Sequence, residues 1–168
     1  THETDPRIAT AAANMALIDE MAPKFKSMLP TSPTGPTECL QILALDFRSA
    51  MFGALGDNRR YEAWMAGCDM VSAYRYHERV LKLLQWRFPT RPWSLKSPAH
   101  MDTIDALLEV YPDARFVMTH RDIAQVIPSV VSLLDATSEY LRTGPLAADF
   151  AANQAAYWER SLRKTLAY

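Results

Sequence analysis

Glycine is scarce in this chain. Five glycines, Gly35, Gly53, Gly56, Gly67 and Gly144, are spread through 168 residues. Neither GxGxxG nor GxxxxGK followed by Ser or Thr can be built from them, so this stretch carries no glycine-rich phosphate loop. Cysteine is scarcer still, and Cys39 and Cys68 form no CxxC. That excludes a disulfide framework and a thiolate zinc site, and it fits a reducing cytoplasm, the expected location. His2, His77, His100 and His120 show neither HxH nor HExxH spacing, so no metal is expected. Charge of one sign is not in excess: 18 basic against 19 acidic side chains leave a net −1. A nucleic-acid partner held by bulk positive charge is excluded, whereas a local anion site is not. No apolar run approaches the ~20 residues of a membrane span. The chain opens at Thr1 with no methionine and no signal-peptide pattern, and reads as an excerpt of a longer polypeptide.

Hydrophobic residues make up 49% and charged residues 22%, which suits one folded domain with a real core. A helix is expected over 6–28, with Pro6 in its first turn and Ile8, Met15, Ile18 and Phe25 near a 3.6 period. Three prolines and Gly35 make 29–36 a loop. A second helix is expected from Thr37 to Ala54, with Leu40, Leu43, Leu45, Phe47, Met51 and Phe52 inward. Gly56, Asp57 and Asn58 suit a turn before a short helix near Tyr61–Met65. A longer helix over Ser72–Arg87 would carry Tyr76, Val80, Leu83, Leu84 and Arg87 along one side and end at Pro89.

The pattern then changes. Trp93–Ser97 is short and extended, and Pro98 keeps Ser97 from helical angles. Residues 100–111 read as a helix, Ala114–Thr119 as a buried strand and Asp122–Leu134 as the next helix. Strand and helix alternating through short links suggest a parallel α/β unit. An alanine- and aromatic-rich helix is expected over 147–166.

Ligands of open parallel sheets sit past the carboxyl ends of strands. Two such ends carry polar clusters: Lys96-Ser97-Pro98-Ala99-His100, and Thr119-His120-Arg121-Asp122 with Ser129 eight residues after Arg121. Arg87, Arg91 and Lys96 meet no acidic residue between 87 and 100. This local positive field, with helix N-termini behind it, suits a phosphate or a sulfate-like group. The bland alternative pairs Lys96 and Arg121 with carboxylates such as Asp102 and Asp122.

The run Leu95-Lys96-Ser97-Pro98-Ala99-His100, then Tyr111-Pro112-Asp113-Ala114-Arg115-Phe116-Val117, then Thr119-His120-Arg121-Asp122 with Ser129, resembles the bacterial sulfotransferases that use 3′-phosphoadenosine-5′-phosphosulfate (PAPS). The resemblance extends to Tyr74-Arg75-Tyr76-His77 and to Glu3-Thr4-Asp5-Pro6-Arg7. It implies a P-loop-NTPase-like parallel α/β sheet flanked by helices. Residues 1–92 would form a helical cap, 93–135 a β-α-β-α nucleotide-binding unit, and 136–168 a further helical part. It implies that Arg121 and Ser129 hold the 3′-phosphate, with Ser132 as the competing hydroxyl. Lys96 and Ser97 would face the transferring sulfuryl group and the leaving phosphate, with His100 as general base. His77 would at most line an acceptor pocket, and strand alternation aims His120 away. The family's 5′-phosphosulfate loop is missing, so this reads as the middle of a sulfotransferase, inactive by itself.

The implied products are a sulfate ester and adenosine 3′,5′-bisphosphate, without a metal. The acceptor would be a small or lipid-like hydroxyl compound, and the sequence sets no oligomeric state. The alternatives are a P-loop-type kinase and a non-catalytic helical interaction module.

Overall fold

The computed structural model describes residues 4–29, 31–56, 58–88 and 91–168. His2, Glu3, Asp57 of the expected turn and the helix-ending Pro89 lie outside the described residues. The described chain is helical: α1 (Pro6–Met21), α2 (Pro23–Met28), α3 (Cys39–Ala44), α4 (Met51–Ala54), α5 (Arg59–Met65), α6 (Met70–Gln85), α7 (Ile104–Val110), α8 (Ile123–Ser138) and α9 (Phe150–Leu166). A 3-10 turn, Pro98–Met101, precedes α7.

The helix expected over 6–28 is two helices. Asp5 caps α1 by accepting from the Arg7 amide at 2.9 Å, and the Arg7 guanidinium bonded to it holds its carboxyl down at about 2. Pro23 then stops α1, because a residue before proline is driven from helical angles. Ala22 obeys, with φ −133° and ψ 64°, and is buried at the joint.

The helix expected over 37–54 is also broken. Phe47 adopts φ 58°, a left-handed conformation unusual for a bulky residue. The Tyr61 hydroxyl donates to the Phe47 carbonyl at 2.7 Å and accepts from the Ser49 amide at 3.1 Å, which fixes the bend. Leu45 and Phe47, expected inward, are therefore exposed.

Helix α6 forms where expected, capped by Asp69, whose carboxylate accepts from Val71 and Ser72. Its buried face differs from the expected one. Ala73, Tyr74, His77 and Leu81 point inward, whereas Leu83 and Leu84 are exposed. Both stripes satisfy a 3.6 period, and tertiary packing selects between them. Leu43 of α3, Ala73 and Tyr74 of α6, and Ala106 and Leu107 of α7 form the core cluster. Helix α6 packs on α7 and α3, and α8 packs on α9.

The expected α/β fold with a P-loop-like parallel sheet is not observed: no strand occurs among the described residues. The β segments of the expected β-α-β-α unit, Trp93–Ser97 and Ala114–Thr119, are irregular, and neither belongs to a ladder. Apolar composition favours extended backbone locally, but a strand also needs a neighbour to bond to. The expected burial fails too, since Val117 is 94% exposed and Phe116 is half exposed.

Leu43 is 2% exposed at the junction of α3 with α6. Leu43→Ala should destabilise the fold by roughly 2–5 kcal/mol, the range for emptying a buried leucine site. Urea unfolding checks this: the midpoint should fall at an unchanged slope.

Candidate functional site

Three of the residues expected to act, Lys96, Ser97 and His100, lie on one tight turn. Ser97 has an extended backbone, φ −159° and ψ 135°, as the residue before Pro98 must. Its hydroxyl accepts from the Ala99 amide at 3.2 Å and so caps the 3-10 turn on which His100 sits. Ser97 is thus committed locally.

The turn is held from three directions. On the α3 side, the Cys39 amide donates to the Lys96 carbonyl at 3.0 Å. On the α6 side, the Tyr74 hydroxyl lies 2.8 Å from His100 Nδ1 and 2.7 Å from Thr103 Oγ1. On the α9 side, Thr165 Oγ1 donates to the Met101 carbonyl at 3.0 Å, and Lys164 Nζ donates to the Asp102 carbonyl at 2.8 Å. The fully buried Ser161 adds a bond to Asp102 Oδ1 at 3.2 Å.

Lys96 projects from this fixed turn into solvent, with 70% of its side chain exposed, and pairs with Glu38. The sequence pointed to Asp102 as its competing partner. Asp102 bonds Ser161 instead, and Glu38 is too distant in sequence to be foreseen. An exposed ion pair is worth about 0–1 kcal/mol, so a more highly charged anion can displace Glu38 at little cost.

His100 is partly buried and its ring lies 5.7 Å from that of Tyr74. Burial first, and the neighbouring His77 second, push its pKa from 6.5 down to about 4. Desolvation thus keeps the ring uncharged at neutral pH. His77 is 1% exposed, so it belongs to the core rather than lining a pocket. Its Nδ1 lies 2.7 Å from the Tyr111 hydroxyl, and its buried Nε2 has no hydrogen-bond partner among the described residues.

Arg121 and Ser129 occupy the start of α8. Arg121 is exposed, two residues before the helix, and makes no hydrogen bond or ion pair among the described residues. Asp122 does not pair with it; its carboxylate caps α8 by accepting from Ala124 at 2.9 Å. Ser129 is exposed in the second turn and directly follows Pro128, which lies inside the helix. No hydrogen bond joins Arg121 to Ser129 among the described residues. Ser132 and His120 are exposed as well.

The sequence reading missed Tyr74 and Thr103. Their signal was present as the i, i+3 pair Tyr74 and His77 on one helical face, and as Thr103 four residues after Ala99. Among the described residues no group of three or more His, Cys, Asp or Glu could hold a metal ion. No described helix is long and apolar enough to cross a membrane. A groove of about 530 Å³ at the end of α6 is lined by Leu83, Leu84, Trp86, Arg87 and Phe88, and contains none of these site residues.

The profile of the sulfotransferase family matches residues 1–168. The chain belongs to that family. Among solved structures it is similar to sulfotransferase STF1 of Mycobacterium tuberculosis, with 28% identity and a TM-score of 0.74, over 90% of this chain and 44% of that one. It is also similar to sulfotransferase STF9 of Mycobacterium avium, with 29% identity and a TM-score of 0.74, over 98% of this chain and 43% of that one. The chain thus spans less than half the length of either enzyme. A search of curated proteins finds no match.

The depressed His100 pKa has a consequence for stability. Between pH 6.5 and about 4 the unfolded chain takes up a proton that the folded chain refuses, so stability is lost as pH falls through this window. In His100→Gln the decline in melting temperature from pH 7 to pH 4 should be shallower; an unchanged decline would place the proton uptake elsewhere.

Proposed function

We propose that this chain is the acceptor-activating and 3′-phosphate-binding part of a PAPS-dependent sulfotransferase acting on a hydroxyl acceptor. The observation that carries the reading is the pinned turn, which bears a cation, Lys96, and four residues on a neutral histidine, His100, in a chain of this family. PAPS supplies the sulfuryl group, and adenosine 3′,5′-bisphosphate and a sulfate ester are the products.

The residues present suit such a donor. Arg121 offers five donors in a planar fork to a phosphate, and the Ser129 hydroxyl adds one more. Both are exposed. Lys96 supplies a point charge against negative charge growing on the leaving oxygen. His100, uncharged at neutral pH, accepts the acceptor's hydroxyl proton at Nε2, since Nδ1 is already engaged with Tyr74. Side-chain cations do this work, and the reading calls for no metal.

The acceptor we assign is an apolar or amphiphilic alcohol. Phe47, stacked on Phe52 at 5.4 Å, and the half-exposed Trp64 support this class. Two free cysteines suit a reducing cytoplasm. Family membership disfavours both the kinase and the non-catalytic module.

Two measurements test the reading in the complete protein. Arg121→Ala should weaken adenosine 3′,5′-bisphosphate by roughly 10- to 150-fold, the equivalent of a charge-assisted bond, and leave 5′-AMP nearly unaffected. Calorimetric titration decides, and equal losses for both nucleotides would remove Arg121 from the 3′-phosphate. His100→Ala should lower kcat by about 10²–10⁴-fold while nucleotide affinity stays intact. Near-normal kcat would place the base on another residue.

A further inference from the structure

The Tyr74 hydroxyl stands between two partners, His100 Nδ1 at 2.8 Å and Thr103 Oγ1 at 2.7 Å. It owns one proton, so it can donate to only one of them. Thr103 Oγ1 also reaches the Ala99 carbonyl at 3.4 Å. A carbonyl only accepts, so this contact fixes a direction. If Thr103 donates to Ala99, its oxygen is free to accept from Tyr74, and the Tyr74 oxygen accepts from His100 Nδ1–H. All three bonds then form. In the reverse direction Thr103 donates to Tyr74 and Tyr74 donates to His100, and the bond to Ala99 is lost. The Ala99 carbonyl, which also accepts from the Asp102 amide at 3.2 Å, has a second lone pair for Thr103. Bonds running head to tail in a buried chain reinforce one another, which favours the three-bond arrangement.

We propose that Thr103, acting through Tyr74, holds His100 in the Nδ1–H tautomer and leaves Nε2 as a bare acceptor. Tyr74 is 1% exposed, so water does not compete for its hydroxyl. His100 Nε2 makes no hydrogen bond to a described residue, whereas Nδ1 does. Tyr74 and Thr103 are positioning residues: they set which nitrogen faces the reaction. The catalytic meaning rests on the reading of His100 as base; the tautomer itself does not.

The test is nitrogen-15 NMR of the histidine-labelled protein at pH 7, with the His100 signals assigned by their loss in His100→Gln. The wild type should show a protonated Nδ1 and an unprotonated Nε2. Thr103→Val keeps the shape and removes the acceptor, so the Tyr74 proton turns to Nδ1 and the His100 proton moves to Nε2. Thr103→Ser should restore the wild-type pattern. A wild-type ring protonated at Nε2, or at both nitrogens, overturns the proposal without any variant. An unchanged tautomer in a folded Thr103→Val protein overturns it as well. The measurement needs no substrate. Normal turnover in His100→Ala would defeat the base while leaving the tautomer assignment standing.

Discussion

One buried hydroxyl connects the core to the candidate site. Tyr74 contributes its ring to the cluster of α3, α6 and α7, and its oxygen to His100 and Thr103. The ring supplies apolar area, and the hydroxyl must find partners because an unsatisfied buried polar group costs about 1–3 kcal/mol. The 3-10 turn cannot move away without stranding that oxygen. Burial pushes the phenol well above its usual pKa, so it remains a neutral donor and acceptor at any physiological pH.

Around this link the charges are sorted by exposure. Lys96 and Arg121 reach solvent, where a cation keeps its hydration until an anion replaces it. His100 and His77 are withdrawn from water, and desolvation keeps both rings uncharged at neutral pH. The proposed sulfuryl transfer would call on both kinds of group. Cations offset charge that grows on the leaving oxygen, and a neutral nitrogen takes up the proton the acceptor gives away. Helix α9 also holds the turn, through Ser161, Lys164 and Thr165.

The helices that carry local signals were legible in the sequence. Helices α6 and α9 fall close to their expected spans, and the caps Asp69 and Asp122, which were not foreseen, sit at or near the expected starts of α6 and α8. The Lys-Ser-Pro-Ala-His run pointed to the family that the profile match over residues 1–168 then established. Features fixed by distant partners were not legible. The bend at Phe47 depends on Tyr61, fourteen residues on. The buried side of α6 depends on α3 and α7, and the Lys96 partner lies back at Glu38. The strands failed for the same reason. An apolar run such as Phe116-Val117-Met118 shows extended preference, but ladder pairing is a property of two segments and neither run shows its partner.

The Tyr74 hydroxyl joins the helical core to the turn bearing Lys96 and His100. A double-mutant cycle in unfolding free energy, with Tyr74→Phe and Thr103→Val singly and together, isolates that link. Both changes delete a hydroxyl's hydrogen-bonding while nearly keeping its shape. Strong non-additivity is expected, an interaction energy of about 0.5–3 kcal/mol, because the two hydroxyls act as one chain. Losses that add to within about 0.3 kcal/mol would show that the hydroxyls act independently and that the turn is held by other means.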